Sequence, residues 1–599
     1  MIKANCNTFT ILPNTKIFIQ QGDPIFLGSS YEKIKSFLDK KFSYKPILCV
    51  HKKSQLVHED REANAIHFIL SEKEVPSREG YQIHITPKTI EIVASTHVGQ
   101  YYGVATLIDL IISEGLRLSE RVIVDEPYFK HRGVMLDITR GRIPKLSYLK
   151  DIIDFLSHNK VNQLQLYMEH TFQFSFMSEV SMGKDGLSPM EFMELDEYCH
   201  QRHIELIPCI ATFGHLYEVL KSDSFKHLCE YEDFSDEPYS WMDRQRHHTI
   251  DCMNPESLEL VRQMVKEICS CFRSKYLNIC GDETYDMGKG RNKDKLAKIG
   301  GARLYVDFLN QILDTVIEQD KIPMYWDDTI LMCPEFIGEI RSEAIPLHWW
   351  YENEVKESDF KVLEKTHLPF YTCPSTTGWN HFINDYQRAY SNIGKMIDCG
   401  VKYNATGVLV TDWGDFGQIN HLSTSLPLFK FGAKKAWNPS SNPEVTSFHG
   451  PYVIMLEGIA NERVVTWEHK MQWFYGRYHK NFSYGDITNY IQGLDKVLLI
   501  ESFDRLEMFE KQVSEIAPFY SGPMSDDLVE VFSDIQGMKW MLQFVLVIKE
   551  ERTDDHLATT IENWFIDYEI LWRKRYRESE LYQIRGVIIK LCSFLRTNI

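Results

Sequence analysis

Apolar positions in the middle of the chain follow two alternating rhythms. Short runs at 133–138, 162–168, 204–210, 276–280, 322–326, 345–350, 368–373 and 407–413 have the length and apolar continuity of buried strands. Between several of them apolar residues recur at helical spacing, over 145–159, 255–272 and 302–319. Asn254-Pro255-Glu256 opens one of these helices with a capping side chain, a proline in the first turn and an acid near the positive helix end. Alternation of strand and helix from about 130 to 435 predicts a parallel sheet. Eight repeats predict an α/β fold, a (β/α)8 TIM barrel, with a doubly wound open sheet as the alternative.

The flanks differ. Residues 1–127 carry strand-like alternations, Gln82-Ile83-His84-Ile85 and Thr89-Ile90-Glu91-Ile92-Val93, followed by an apolar helix at about 99–113. They predict a small α+β domain that ends at a linker around Pro127. The barrel then spans 128–438. Residues 439–599 read as a mostly helical region, with a long amphipathic run from Trp564 to Phe594 and breaks at Pro518 and Ser521-Gly522-Pro523. Trp564 and Trp572 fall at helical spacing and read as core. This region is expected either to brace the barrel or to form a homodimer interface.

Composition narrows the function classes. At 599 residues, two to four domains are expected, and 44% hydrophobic residues are ample for folded cores. A net charge of −18 argues against partners held by general attraction, nucleic acid or anionic membrane. The N-terminus shows no secretory pattern, no run approaches a membrane span, and 13 scattered cysteines fit reduced thiols, so a cytoplasmic protein is expected. There is no CxxC, HExxH or phosphate loop. Cys269 and Cys271 read as packing, Gly288-Lys289-Gly290 is too short for a phosphate cradle, and no metal or cofactor is expected.

A barrel of this kind presents its chemistry just after each strand. Those positions hold Arg140, then Glu169 and His170, then His215, then the adjacent pair Asp282 and Glu283. They continue with Trp326-Asp327, Trp349-Trp350, Tyr371 with Trp379 shortly beyond, and Trp413-Gly414-Asp415. Aromatic walls with a few acids and one arginine suit a sugar pocket, since pyranose C–H faces stack on rings and hydroxyls need paired donors and acceptors. Two adjacent carboxylates repel, which can keep a proton donor beside an anion. Structural readings stand beside these. Arg140 could bridge to Asp137 as scaffolding, His215 could be a buried structural histidine, and Tyr371 could be core.

The segments EGYQIHITPKTIEIVAS and GQYYGVATL, then RGVMLDITRGRIP, FGH, GDE and WGD, fall in this order over about 80–435. Together they resemble glycoside hydrolase family 20, the β-N-acetylhexosaminidases. The resemblance implies an exo-acting, retaining enzyme that releases terminal β-linked GlcNAc or GalNAc from glycans by substrate-assisted catalysis. It implies Glu283 as acid and base, Asp282 as the acceptor orienting the 2-acetamido N–H, and Tyr371 as donor to the acetamido oxygen. It further implies Trp326, Trp349 and Trp413 as pocket walls, Arg140 on the O3/O4 side and Asp415 on O4/O6, while Trp379, by its loop position, reads as a cap on the pocket rim. His215 would lie in the pocket, and Glu169 or His170 would replace an acid usual after the second strand. The chain departs from the family at Asn278, Cys280, LYMEHTFQF and Cys373. Two other readings remain: an O-GlcNAc-type hydrolase, against which Glu283 counts because those carry paired aspartates, and a non-catalytic sugar-binding barrel, which the intact acid pair disfavours.

Overall fold

The computed structural model describes residues 7–597 apart from 27, 52–61, 233–239, 441–449 and 480–486. Eight parallel strands form a closed barrel: His131–Asp137, Gln163–Met168, Glu205–Ile210, Tyr276–Asn278, Ile322–Trp326, Ile345–Trp349, Tyr371–Cys373 and Gly407–Asp412. The last strand pairs with the first, from Gly407 opposite His131 to Asp412 opposite Leu136, so the sheet closes and is not the open alternative. Met135, Ile207, Met324, Leu347 and Leu409 fill its interior. Helices such as Leu146–His158, Pro255–Ser270 and Gly301–Ile317 cover the outside, which is why the strands read as continuous apolar runs. Asn254 caps its helix by accepting from the Glu256 N–H.

Two strands are shorter than the sequence suggests. The fourth stops at Asn278 because Cys280 and Gly281 turn into the left-handed region, at φ 61° and 86°. The seventh starts only at Tyr371, after Pro369, which lacks the N–H a ladder needs.

Ahead of the barrel lies a six-stranded mixed sheet in the spatial order Ile47–His51, Lys16–Gln20, Ala65–Leu70, Thr89–Ala94, Tyr81–Ile85, Arg121–Asp125. Helices Ser30–Phe42 and His97–Glu114 pack in its core. Trp437, the last residue of barrel helix Leu426–Trp437, joins the two units. Its ring packs in the first domain's core against Tyr102, its Nε1 donates to Asp125 at 2.7 Å, and the Arg132 guanidinium lies 4.9 Å from its centroid.

The C-terminal region consists of helices, among them Pro451–Ala460, Trp467–Tyr478, Lys496–Ile516, Pro523–Lys549, Asp555–Arg575 and Leu581–Thr597. The run from Trp564 to Phe594 is therefore two helices, not one. The chain leaves the helix at Tyr576 because its neighbours bond to the barrel instead: Arg577 N–H to Ile143 O and the Ser579 hydroxyl to Gly141 O. Helix Pro523–Lys549 is long and apolar enough to cross a membrane by length and composition, which the sequence reading had excluded. Most of its apolar face is buried in the helical region, around Trp540 and Phe544. Trp437→Ala should cost about 3–5 kcal/mol of unfolding free energy, and Trp437→Phe, which keeps a ring but loses the N–H to Asp125 and part of the indole, about 1–2 kcal/mol, as read by urea titration.

Candidate active site

The acid pair stands on a strained turn. Gly281 has φ 86° and Glu283, not a glycine, has φ 44°. Local bonds hold that geometry: Asn278 Oδ1 accepts the Cys280 N–H at 2.9 Å, Tyr305 donates to Gly281 O at 2.9 Å, and Asp328 Oδ2 accepts the Glu283 N–H at 3.2 Å. Gly214 of the FGH motif is required by close approach, since a Cβ there would lie 2.7 Å from Asp282 O.

Asp282 and Glu283 have different surroundings. The Asp282 side chain is 9% exposed, and its Oδ1 is buried without a hydrogen-bond partner among the described residues. Glu283 is 26% exposed and accepts the Tyr285 hydroxyl at 2.7 Å on Oε1. Glu283 is thus the carboxyl that reaches outward, and Asp282 the one held inside. His215 faces both, its Nε2 3.5 Å from Asp282 Oδ2 and from Glu283 Oε2. Its Nδ1 lies 2.8 Å from Gln245 O, and a carbonyl only accepts, so Nδ1 carries a proton. Burial opposes charging the ring, but Asp282 and then Glu283 outweigh it and Arg140, and the His215 pKa rises to about 9. The ring is therefore an imidazolium at neutral pH, facing both acids of the pair.

A third acid, Asp328, completes the cluster. Burial, and then the neighbouring Asp282 and Glu283, push its pKa well above the usual carboxylate range.

Arg140 gathers the opposite side. It donates to Glu169 Oε1 and Tyr167 Oη, each at 3.1 Å, and approaches Asp415 at 3.4 Å. Asp137 accepts the N–H groups of Thr139, Arg140 and Gly414, so it shapes the loops rather than the cleft. Burial lifts the Glu169 pKa, against the pull of Arg140 and His215, to about 7. Of the two candidates after the second strand, Glu169 joins this network. His170 is buried and held neutral, its pKa lowered to about 4 by burial, with Glu218, Lys184 and Lys221 as its charged neighbours.

Aromatic rings form the remaining walls. Trp326 and Trp413 meet at 5.7 Å, with Tyr167 5.0 Å from Trp413. Trp349 stacks on Tyr351 at 5.1 Å and 27°, and Tyr351 contacts Trp379 at 5.6 Å. Trp350 is turned away, its Nε1 donating to Glu354 O. Tyr371 does not belong to this group. It begins the seventh strand at the opposite end of the barrel, stacked 5.5 Å from His131 and bonded to Gln163, both first residues of their strands. The tyrosine in the pocket is Tyr351, whose Oη accepts the Trp413 Nε1–H at 2.6 Å, leaving its own proton for a ligand. Side chains alternate along a strand, so Tyr351 faces inward two residues after Trp349, and Tyr167 two before Glu169. That signal was available in the sequence; Asp328 and Tyr285, beyond their strands, gave none. Among the described residues no group of three or more His, Cys, Asp or Glu side chains is placed to hold a metal ion.

The raised His215 pKa has a consequence for stability. Its folded value lies above the unfolded 6.5, so the stabilisation is complete below pH 6.5 and is lost as pH rises through about 9. Wild type should lose up to about 3 kcal/mol relative to His215→Gln over that window, seen as converging melting temperatures in a pH series.

Residues 129–405 match the family model for the glycosyl hydrolase family 20 catalytic domain, and residues 6–126 match the model for domain 2 of the same family. Hexosaminidase D of Homo sapiens is 28% identical over 224 residues, 36% of this chain and 43% of that protein. The Bos taurus protein of the same name is 25% identical over 210 residues, so the chain spans about half the length of these relatives, 43% and 57%. Beta-hexosaminidase subunit beta of Felis catus is 22% identical over 415 residues, covering 63% of this chain and 72% of that one. In fold, the chain is similar to Flavobacterium johnsoniae chitobiase, with a TM-score of 0.60 at 16% identity over 93% of this chain and 94% of that one. With models of both domains matched in order, and the barrel and leading sheet in place, the chain belongs to glycosyl hydrolase family 20.

Proposed function

We propose that this protein is an exo-acting β-N-acetylhexosaminidase that releases terminal β-linked GlcNAc or GalNAc with retention, using the substrate's own acetamide as nucleophile. The observation that carries this reading is the buried, unpartnered Asp282 Oδ1 beside the outward-reaching Glu283. A buried carboxylate oxygen without a donor is costly until a ligand supplies one, and an acetamido N–H is such a donor. The proteins it is similar to are named hexosaminidases, which supports the same class of bond.

The residues fit the steps. Glu283, protonated, donates to the glycosidic oxygen as the acetamido oxygen closes on C1 and the C1–O bond breaks. The aglycone leaves as an alcohol and the sugar becomes an oxazolinium ion. Asp282 accepts the N–H and offsets the positive charge, and Tyr351 donates to the acetamido oxygen. Glu283 then takes a proton from water, whose oxygen attacks C1, reopens the ring and restores the β configuration. Trp326, Trp349 and Trp413 wall the acetamide and the ring face, while Arg140, Glu169 and Asp415 meet the hydroxyls of the terminal sugar. The His215 imidazolium sets a positive charge 3.5 Å from Asp282 Oδ2. The twelve described cysteines are all unpaired, which supports a reducing compartment as the place of work.

With 4-nitrophenyl β-GlcNAc as substrate, Glu283→Gln and Asp282→Asn should each lower kcat by about 10²–10⁴-fold. Full turnover by Glu283→Gln would sink the reading. A second pair tests the choice of tyrosine. Tyr351→Phe should lower kcat by about 10²-fold, whereas Tyr371→Phe, at the far end of the barrel, should stay within about twofold of wild type.

A further inference from the structure

The C-terminal helices reach the rim of the pocket at three points. Trp467, fully buried at the start of helix Trp467–Tyr478, donates its Nε1–H to Phe416 O at 2.8 Å. Phe416 follows Asp415, and Phe416, Gly417 and Gln418 stand in succession at φ 61°, 85° and 52°. Three left-handed residues in a row, two of them with side chains, persist only where surrounding contacts hold them.

Arg142 supplies the second point. It is fully buried, with the rings of Tyr568, Trp572 and Tyr576 at 5.4, 4.4 and 4.5 Å from its guanidinium. All three come from the C-terminal region. From this cage Arg142 donates to Gln418 O at 2.9 Å and Ile419 O at 3.2 Å, and its N–H is taken by the Gln418 side chain. Arg142 lies two residues after Arg140, so the same contact ties the Arg140 loop to the Asp415 loop. At the third point Asn380, the neighbour of Trp379, donates to Glu468 Oε2 at 2.6 Å, and Gln472 fixes the other Glu468 oxygen at 2.8 Å.

We propose that the C-terminal helical region is a working part of the sugar pocket: through Trp467, Glu468 and the cage around Arg142 it sets the spacing of Arg140, Asp415 and Trp379, and so the affinity for the terminal sugar and the discrimination between its 4-epimers. This rests on the hydrolase reading above. Trp467, Glu468 and Arg142 are positioning residues; in this arrangement they act through Asp415, Trp379 and Arg140, and the acid pair stands on a different loop. Arg140 and Asp415, 3.4 Å apart, form a loose pair into which hydroxyls can insert, and a shift of a few tenths of an ångström there changes binding without changing proton transfer.

The test uses the full chain with Trp467→Phe, which keeps a ring and removes one N–H, and Glu468→Gln. Kinetics on 4-nitrophenyl β-GlcNAc and β-GalNAc are paired with hydrogen exchange of the 414–420 segment and thermal melting. The expected result is KM raised about fivefold or more with kcat within about twofold, an unmoved pH–rate profile, and a GlcNAc-to-GalNAc ratio of kcat/KM altered about threefold or more. Exchange over 414–420 should quicken in Trp467→Phe. Variants that melt earlier while KM, the sugar ratio and exchange stay at wild-type values would overturn the inference, leaving the region a simple brace. A wild type inactive on both sugars would count against the hydrolase reading instead. Exchange in Trp467→Phe would then still decide whether these contacts hold the loops.

Discussion

Three carboxyl groups converge where the fourth strand ends, and the site exists only because their charge is balanced within a few ångströms. Asp282 and Glu283 are adjacent in the chain, and Asp328 bonds the Glu283 N–H from behind. Three anions in such a space would repel one another, and the fold answers with a raised carboxyl pKa and a positive ring. Burial and its two neighbours push the Asp328 pKa well above the usual range, and a charged His215 faces the pair from the other side. Without these arrangements the buried Asp282 oxygen could not wait unpaired for a donor.

The barrel makes that convergence possible by drawing the members from three neighbouring strand ends. The FGH turn brings His215, the GDE turn the pair, and the fifth strand's exit Asp328. The backbone cost is visible in the positive φ at His215, Cys280 and Glu283. Conformations of this kind hold only where packing over-determines them, and here the supporting bonds come from Asn278, Tyr305 and Asp328. The Asp415 turn repeats the pattern on the other side of the pocket, held from outside the barrel. The protein is organised as strained turns under external clamps.

Much of this is legible in the sequence, because an apolar strand running into a polar or aromatic residue marks the functional end of a barrel. Arg140, His215, the acid pair, Trp326 and Trp413 stand where that rule places them. Tyr371 misleads, because its strand begins rather than ends there, after Pro369 delays pairing. The strand's length, not its composition, decides which end a side chain occupies. Tyr351 was missed because alternation continues past the last paired residue, so an inward side chain can lie two positions beyond the strand. Asp328 and the Arg142 cage were beyond reach for a different reason. Each depends on contacts between segments distant in sequence, with 45 residues separating Asp328 from Glu283 and more than 400 separating Arg142 from Tyr568. The helix break at Tyr576 is of the same kind, since its partners lie on the barrel.

The central claim is that the nucleophile belongs to the substrate and that the protein only orients it. The most direct measurement is kcat/KM for 4-nitrophenyl β-glucosaminides whose N-acetyl group carries none, one, two or three fluorines. Fluorine withdraws electrons from the acyl oxygen, so an acetamide nucleophile predicts a steep, progressive fall, about 10²-fold or more across the series, equivalent to roughly 3 kcal/mol in the barrier. A series that stays flat would contradict it and would require a carboxylate of the protein to attack C1.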